Sequence, residues 1–250
     1  MSDPYVGSAE YLDLLIAGFW EAAGPEVASV LAELPPGPGP VVDLGAGSGR
    51  GVRVLGEAVP GAPVLAVEPS AVMRAALMPR ILDDPGLRDR VTVLPGGALD
   101  EALPEGVRAV LALNMLGHLA GPERRELLER VLRSLVPGGV LVTNLAPPFA
   151  PVAVPRVLMA RTEVGELVYE GYASAEPSGV DGLLWRMEYR TLRGDAEISA
   201  ATVEYPWCVC SEEELAAEAT GLGFGVRRVG DPALGLHVLG RPSAGAGPLA

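Results

Sequence analysis

Lysine is missing from this chain: all 19 basic side chains are arginine, set against 32 acids for a net charge of −13. The arginines are scattered. Arg124-Arg125 precedes Glu126 and Glu129, the pattern of a solvated helix face with i,i+4 pairs. Nucleic acid, which demands a basic patch, is not an expected partner. The surplus of Ala, Gly, Pro and Val beside the missing lysine reads as GC-rich coding and carries no chemistry. Cysteine is scarce too. Cys208 and Cys210 alternate with Val209, so on a strand they share a face, too close for an easy disulfide in extended backbone. No further soft ligands lie nearby, so no metal is expected and both read as small buried hydrophobes. No window approaches about eighteen uninterrupted apolar residues, which argues against a membrane span. Met1-Ser2-Asp3-Pro4-Tyr5 lacks the basic region of a secretion signal, so a cytoplasmic location is expected. There is no internal repeat.

What is present is ample apolar material, 49% of 250 residues, enough for one large α/β domain with a real core. Apolar residues at helical spacing run from Tyr11 to Leu34, with a break expected at Gly24-Pro25. Pro35 to Pro40 form a stiff linker. Val41-Val42-Asp43-Leu44 reads as a buried parallel strand. An alternation follows: helix 51–58, strand 64–67, helix 70–81, strand 91–94, strand 109–113, helix 122–135, the turn Pro137-Gly138-Gly139, and strand 140–144. Such repeats predict a parallel sheet with helices on both faces. After Asn144 the rhythm changes. Residues 156–169 are expected to be helical. Strands 184–192 and 196–205 are joined by the hairpin signal Arg193-Gly194-Asp195. Ser211 and Glu214 form a capping box for a helix, and two strands, 226–229 and 236–239, end the fold before a loose tail.

The most informative segment is Asp43-Leu44-Gly45-Ala46-Gly47-Ser48-Gly49-Arg50. Three glycines between a buried strand and a helix let a ligand approach the backbone, and the helix start offers free N–H donors. One strand later comes Glu68-Pro69. Glu68 follows the first glycine by about 20 residues, the separation at which an acid can grip a ribose diol. A dinucleotide and S-adenosylmethionine both fit this outline. The dinucleotide pattern Gly-x-Gly-x-x-Gly requires glycine where Arg50 stands, and Asp43 suits a cationic ligand better than a pyrophosphate.

On these residues the chain resembles the class I S-adenosylmethionine-dependent methyltransferases. Asp43 to Gly49 matches that family's first motif residue for residue, and Glu68 falls where the family places its ribose-binding acid. Leu135-Val136-Pro137-Gly138-Gly139-Val140-Leu141 resembles the family's turn into the fifth strand. The resemblance covers residues 41–145 well and 211–239 more weakly. It implies a doubly wound, Rossmann-like, seven-stranded sheet whose last strand is antiparallel, with an N-terminal helical lid and an insertion after the fifth strand. The corresponding divisions are a lid (1–35), a cofactor-binding α/β core (36–146), a substrate-covering insertion (147–210), a completion of the core (211–240) and a flexible tail (241–250). The implied cofactor is S-adenosyl-L-methionine, held by Asp43, Gly45, Ala46, Gly47, Ser48, Gly49, Glu68 and Pro69. Leu113 and Asn114 of the fourth-strand loop, and the backbone of Ala98 and Leu99, complete the set. The family often carries an acid near the adenine amino group; here that position is Ala98, and Asp100 reads as a helix cap.

Leu113-Asn114-Met115-Leu116-Gly117-His118-Leu119 lies beyond the fourth strand, on the edge where open α/β sheets bind ligands. His118 is one of two histidines and titrates in a range suited to proton transfer. A structural role bonded to backbone is the competing reading. Tyr5 and Tyr11 of the expected lid are further catalytic candidates. Phe19 reads as helix packing, and His237, within an apolar run, as structural. Tyr169, Tyr172, Trp185, Arg186 and Tyr189 of the insertion are expected over the substrate. The resemblance implies methyl transfer to an amine or hydroxyl of a small-molecule or peptide acceptor in specialised metabolism, with a homodimer allowed. Two other classes stay open: a cofactor-binding partner subunit without catalysis, and a dinucleotide-dependent oxidoreductase.

Overall fold

The computed structural model describes Asp3 and residues 5–243. Among the described residues, eleven strands form two sheets, accompanied by seven α-helices. Strand β1 (Val41–Leu44) is buried along its whole length, as expected of a parallel strand covered on both faces. It is flanked by β2 (Val64–Val67) and β4 (Val107–Ala112), both parallel to it. With β3 (Val91–Leu94), β5 (Leu135–Asn144), β10 (Gly225–Arg228) and β11 (Leu236–Gly240), the order is β10-β11-β5-β4-β1-β2-β3. This is the expected seven-stranded sheet, and β11 runs antiparallel to β5.

Strand alternation divides the core. Val41, Ala66, Ala109, Leu111 and Val142 point to the side covered by α2 (Ala17–Ala32), α3 (Arg50–Ala58), α4 (Ala71–Leu82) and α5 (Pro85–Arg88). Val42, Leu44, Val67, Val110 and Leu141 point to α6 (Gly121–Ser134) and α7 (Glu212–Leu222). The capping box of α7 is present: Glu214 N–H donates to Ser211 Oγ at 3.1 Å, and Ser211 N–H donates to Glu214 Oε2 at 2.7 Å.

Two local expectations fail. Helix α2 runs through Gly24 and Pro25, and the break falls at Ile16, between α1 (Ala9–Leu15) and α2. Burial of Ala23, Val27, Val30 and Leu31 against the core overrides the weak local preference. Residues 156–169 are not helical; they lie in β6 (Val154–Val164) and β7 (Leu167–Pro177), an antiparallel hairpin turning at Gly165, φ 60°. A short apolar run has no decisive period, and pairing with a neighbouring strand settled it. The hairpin expected at Arg193-Gly194-Asp195 joins β8 (Gly182–Arg193) to β9 (Ala196–Cys208). The second sheet has the order β6-β7-β8-β9. The expected loose tail begins in paired backbone, since Arg241 exchanges hydrogen bonds with Gly138 and Gly139 at 2.9 and 2.8 Å; residues 244–250 of it lie outside the described residues. Cys210 is buried, Cys208 partly so, and both are free. No single described helix is long and apolar enough to cross a membrane.

The second sheet is seated on the first through glycines. Gly171 of β7 lets Leu15 of α1 approach so closely that a Cβ there would lie 2.7 Å from Leu15 Cδ1. Gly117, in the turn Leu116–His118 after β4, receives the indole of Trp207 from β9, and a Cβ would stand 1.8 Å from Trp207 Cε2. Gly117→Ala should therefore displace that indole and lower stability by about 1–3 kcal/mol, the usual cost of overpacking. The loss should nearly vanish in a Trp207→Ala background. Thermal unfolding of the two single variants and the double variant checks this; additive losses would contradict the contact.

Candidate functional site

The sheet order reverses between β1 and β4, and the chain segments leaving the C-terminal ends of β1, β2 and β4 meet there. A crevice at such a reversal is where open α/β sheets bind ligands. After β1, Gly45 and Ala46 donate to the Val67 carbonyl at 2.9 and 3.0 Å. Gly45, Gly47 and Gly49 take φ of 72°, 54° and 90°, a left-handed path that requires glycine. The path folds the loop back over the strand end. A Cβ on Gly45 would lie 3.2 Å from Met115, leaving the backbone bare there.

Asp43 is buried beneath this loop, and its Oδ2 has no hydrogen-bond partner. Burial, reinforced by the charge of Glu68, pushes its pKa up to about 7. Only glycine is tolerated at position 51, in the first turn of α3, because a Cβ would stand 2.5 Å from that oxygen. Glu68 is buried at the end of β2. Its Oε2 accepts from Gly47 N–H and its Oε1 from Ser70 N–H, both at 2.8 Å. Burial outweighs these donors and raises its pKa. Pro69 is exposed, and its carbonyl, with that of Glu68, accepts from Arg74.

Beyond β4, Leu113 is buried and Asn114 adopts φ 56°, uncommon outside glycine. Asn144, at the end of β5, holds it: its Oδ1 accepts from Asn114 N–H at 2.6 Å and its Nδ2 donates to Asn114 Oδ1 at 2.8 Å. After β3, Asp100 Oδ2 accepts from Gly97 N–H at 2.8 Å within a turn, where no helix begins, so Asp100 is not the helix cap expected, and the Leu99 carbonyl accepts from Arg130 at 2.6 Å. That carbonyl is already engaged by protein, while Ala98 packs beside the core.

His118 lies 2.9 Å from the Tyr5 hydroxyl through Nε2. Trp207, Tyr205 and Tyr5 surround the ring, with centroids 4.9, 5.8 and 6.2 Å away. His118 is exposed, yet the enclosing rings desolvate its imidazole enough to lower its pKa. Burial first, and neighbouring Tyr205 and Glu68 next, raise the pKa of Tyr5 above the ordinary phenol value. Burial takes Tyr205 to about 12. The pair is thus held neutral, and a Tyr5 O–H donating to Nε2 places the ring proton on Nδ1. Tyr11 is not brought to this cluster. Its ring stacks on Tyr189 at 5.0 Å and its hydroxyl lies 3.2 Å from Thr191 and 3.3 Å from Ser199, so it pins α1 to the second sheet. Phe19 packs on Trp20, and His237 Nδ1 lies 2.8 Å from the Gly235 carbonyl, both structural as expected. Tyr172 and Arg186 sit on the opposite face of the second sheet, among ion pairs. Asn144, Tyr205 and Trp207 escaped the sequence reading, although Val203, Tyr205 and Trp207 alternate on one face of β9.

A family model described as a methyltransferase domain matches residues 42–141. Trans-aconitate 2-methyltransferase of Sinorhizobium fredii is 32% identical over 117 residues, 46% of this chain and 42% of that enzyme. The chain thus spans less than half the length of the curated relative it matches. Among solved structures, Streptomyces venezuelae DesVI aligns with TM-score 0.75 and 19% identity over 97% of this chain and 100% of its own. CalS10 of Micromonospora echinaspora, an amino pentose methyltransferase of calicheamicin biosynthesis solved with S-adenosylmethionine bound, aligns with TM-score 0.70 and 20% identity, covering 89% and 91%.

Two outcomes follow from the carboxylates. Charged hydrogen bonds are worth about 1.5–3 kcal/mol, so Glu68→Ala should weaken S-adenosylhomocysteine binding by roughly ten- to a hundredfold. An unchanged dissociation constant in a folded variant would refute the assignment. Asp43 sets a pH dependence. Its folded pKa, about 7, exceeds the unfolded value, so its contribution to the ligand-free fold is complete at acid pH and is lost as pH rises through 7. A ligand ammonium favours the ionised carboxylate. Affinity for S-adenosylhomocysteine should therefore rise between about pH 6 and 8, with proton release. Calorimetry in buffers of differing ionisation enthalpy should show the release, and Asp43→Asn should abolish it.

Proposed function

We propose that the α/β core, which a methyltransferase-domain model matches over residues 42–141, works as a class I S-adenosylmethionine-dependent methyltransferase, and that the protein methylates the amine of a small-molecule acceptor, an amino sugar being the first class to test. The observation that carries the reading is the Tyr5–His118 hydrogen bond, ringed by Tyr205 and Trp207 beyond the C-terminal end of β4.

The residues fit the cofactor: the unpartnered Asp43 oxygen is aimed beneath the loop, and the bare glycine backbone leaves a cradle that a Cβ on Gly45 would crowd. Asp43 serves the ammonium end, Gly45 to Gly49 the close backbone approach, and Glu68 the ribose hydroxyls, for which Gly47 N–H must be exchanged. Pro69, Leu113, Asn114 and the backbone of Ala98 and Leu99 line the remainder. When bound, S-adenosylmethionine supplies a methyl group already activated on a sulfonium. Alignment is then the main task, and proximity supplies several kcal/mol of the barrier.

An acceptor amine arrives largely protonated at neutral pH and must lose a proton before its lone pair can attack. The aromatic enclosure favours a cationic acceptor over its neutral form in water. The acceptor N–H passes its proton to the Tyr5 oxygen while the Tyr5 O–H proton moves to His118 Nε2. Tyr5 ends unchanged and His118 ends as imidazolium. The lowered pKa of His118 keeps its free-base form available. CalS10, which acts on an amino pentose, supports an amine-bearing sugar as acceptor.

Turnover with labelled S-adenosylmethionine over a panel of amino sugars, their hydroxyl analogues and short peptides tests the proposal. Activity confined to the amines is expected, with binding of S-adenosylhomocysteine and none of NAD. The acid limb of kcat should lie below pH 6.5, the ordinary histidine value. His118→Ala should slow turnover by about 10²–10⁴-fold with cofactor affinity nearly intact. Parent-like turnover in that variant would remove His118 from the chemistry.

A further inference from the structure

The N-terminal segment touches the loops after β1, β2 and β4. Ser70, next to Glu68, donates through Oγ to Asp3 Oδ2 at 2.8 Å. Tyr5 meets His118. The third contact is the densest and involves a residue with no part in the chemistry so far described. Asp13, on α1, accepts from Ser48 Oγ at 2.5 Å and from Arg50 Nε at 2.9 Å through Oδ1. Its Oδ2 accepts from Arg50 Nη2 and Arg80 Nη2, both at 3.1 Å, and its backbone carbonyl takes a further bond from Arg50 at 2.8 Å. Arg80 also donates to the Ser48 carbonyl.

Helix chemistry does not account for Arg50. It is the first residue of α3, behind the left-handed N-cap Gly49, where the helix dipole disfavours a cation. Arg80, from the last turn of α4, brings a second guanidinium to the same place. Asp13 is what makes this convergence tenable. Burial alone would raise its pKa, but bonds from Ser48, Arg50 and Arg80 outweigh that and lower it, so the carboxylate stays ionised. With Asp13 in place, α1 is fastened directly to the glycine loop.

We propose that Asp13 is a positioning residue that latches α1 onto the Ser48–Arg50 turn and thereby controls release of ligand from the cofactor site. The claim rests on the reading of that site given above. The three side chains are 25–30% exposed, so solvent and salt screen the pairs and leave the latch able to open. Tyr11 and Leu15 still hold α1 to the second sheet, so opening at Asp13 frees the Ser48–Arg50 turn from α1 while the helix stays seated.

Hydrogen exchange on the ligand-free protein and stopped-flow dissociation of S-adenosylhomocysteine test this. In Asp13→Asn the amides of residues 48–50 should exchange about tenfold faster while those of α6 stay unchanged, and the ligand should leave about tenfold faster. Raising salt should accelerate release from the parent but not from Asp13→Asn, a dependence that mere loss of packing would not produce. Arg80→Gln should reproduce the faster release, and guards against a folding defect peculiar to one variant. Unchanged exchange across residues 48–50, or parent-like release from both variants, overturns the latch. Failure of S-adenosylhomocysteine to bind the parent would instead overturn the cofactor reading, and the exchange comparison would then decide the latch by itself.

Discussion

The close approach of helix α3 to the Asp43 carboxylate is the constraint on which the site depends. A buried carboxylate with one unpartnered oxygen is unfavourable, and here it is retained at the strand end under the glycine loop. Gly51 is needed for the helix to come that near, and the three left-handed glycines are needed for the loop to turn back over the strand. Glu68 then bonds to Gly47 across the loop, so a second buried carboxylate, whose charge helps raise the pKa of Asp43, faces the same crevice. Such an arrangement is poor for stability and well suited to a ligand that is cationic at one end and carries hydroxyls at the other.

The opposite wall of the crevice comes from outside the sheet. The second sheet lays β9 across the turn after β4, with Trp207 against Gly117 and Tyr205 beside His118. The N-terminal segment contributes Tyr5 from the other direction. The histidine's environment is therefore made by segments more than 80 residues apart in sequence, and its lowered pKa is a product of that assembly. Tyr11, one helical segment further on, is absorbed in fastening α1 to the same sheet.

Much of this was legible in the chain. The strand-glycine-helix segment, the acid after the second strand and the alternation of periods led to the seven-stranded sheet and to the edge that carries the site. Those features are local, and each is a choice of backbone that few other residues permit. Reading failed where neighbours decided. Residues 156–169 lack a clear period and became strands because β7 and β8 were there to pair with them. Pro25 stayed inside a helix because the faces around it are buried.

Sequence by itself determined the parallel core, the glycine path and the placement of Asp43 and Glu68, because period, left-handed backbone and strand-end position are properties of contiguous residues. Only the tertiary structure decided which aromatic residues surround His118, that Asn144 rather than a glycine stabilises the turn at Asn114, and that Arg50 serves Asp13. In the sequence Arg50 was merely a residue where a dinucleotide loop needs glycine. Its partners lie 37 residues before it and, through their shared carboxylate, 30 residues after it, and only the packing of α1 against α3 and α4 brings those charges together.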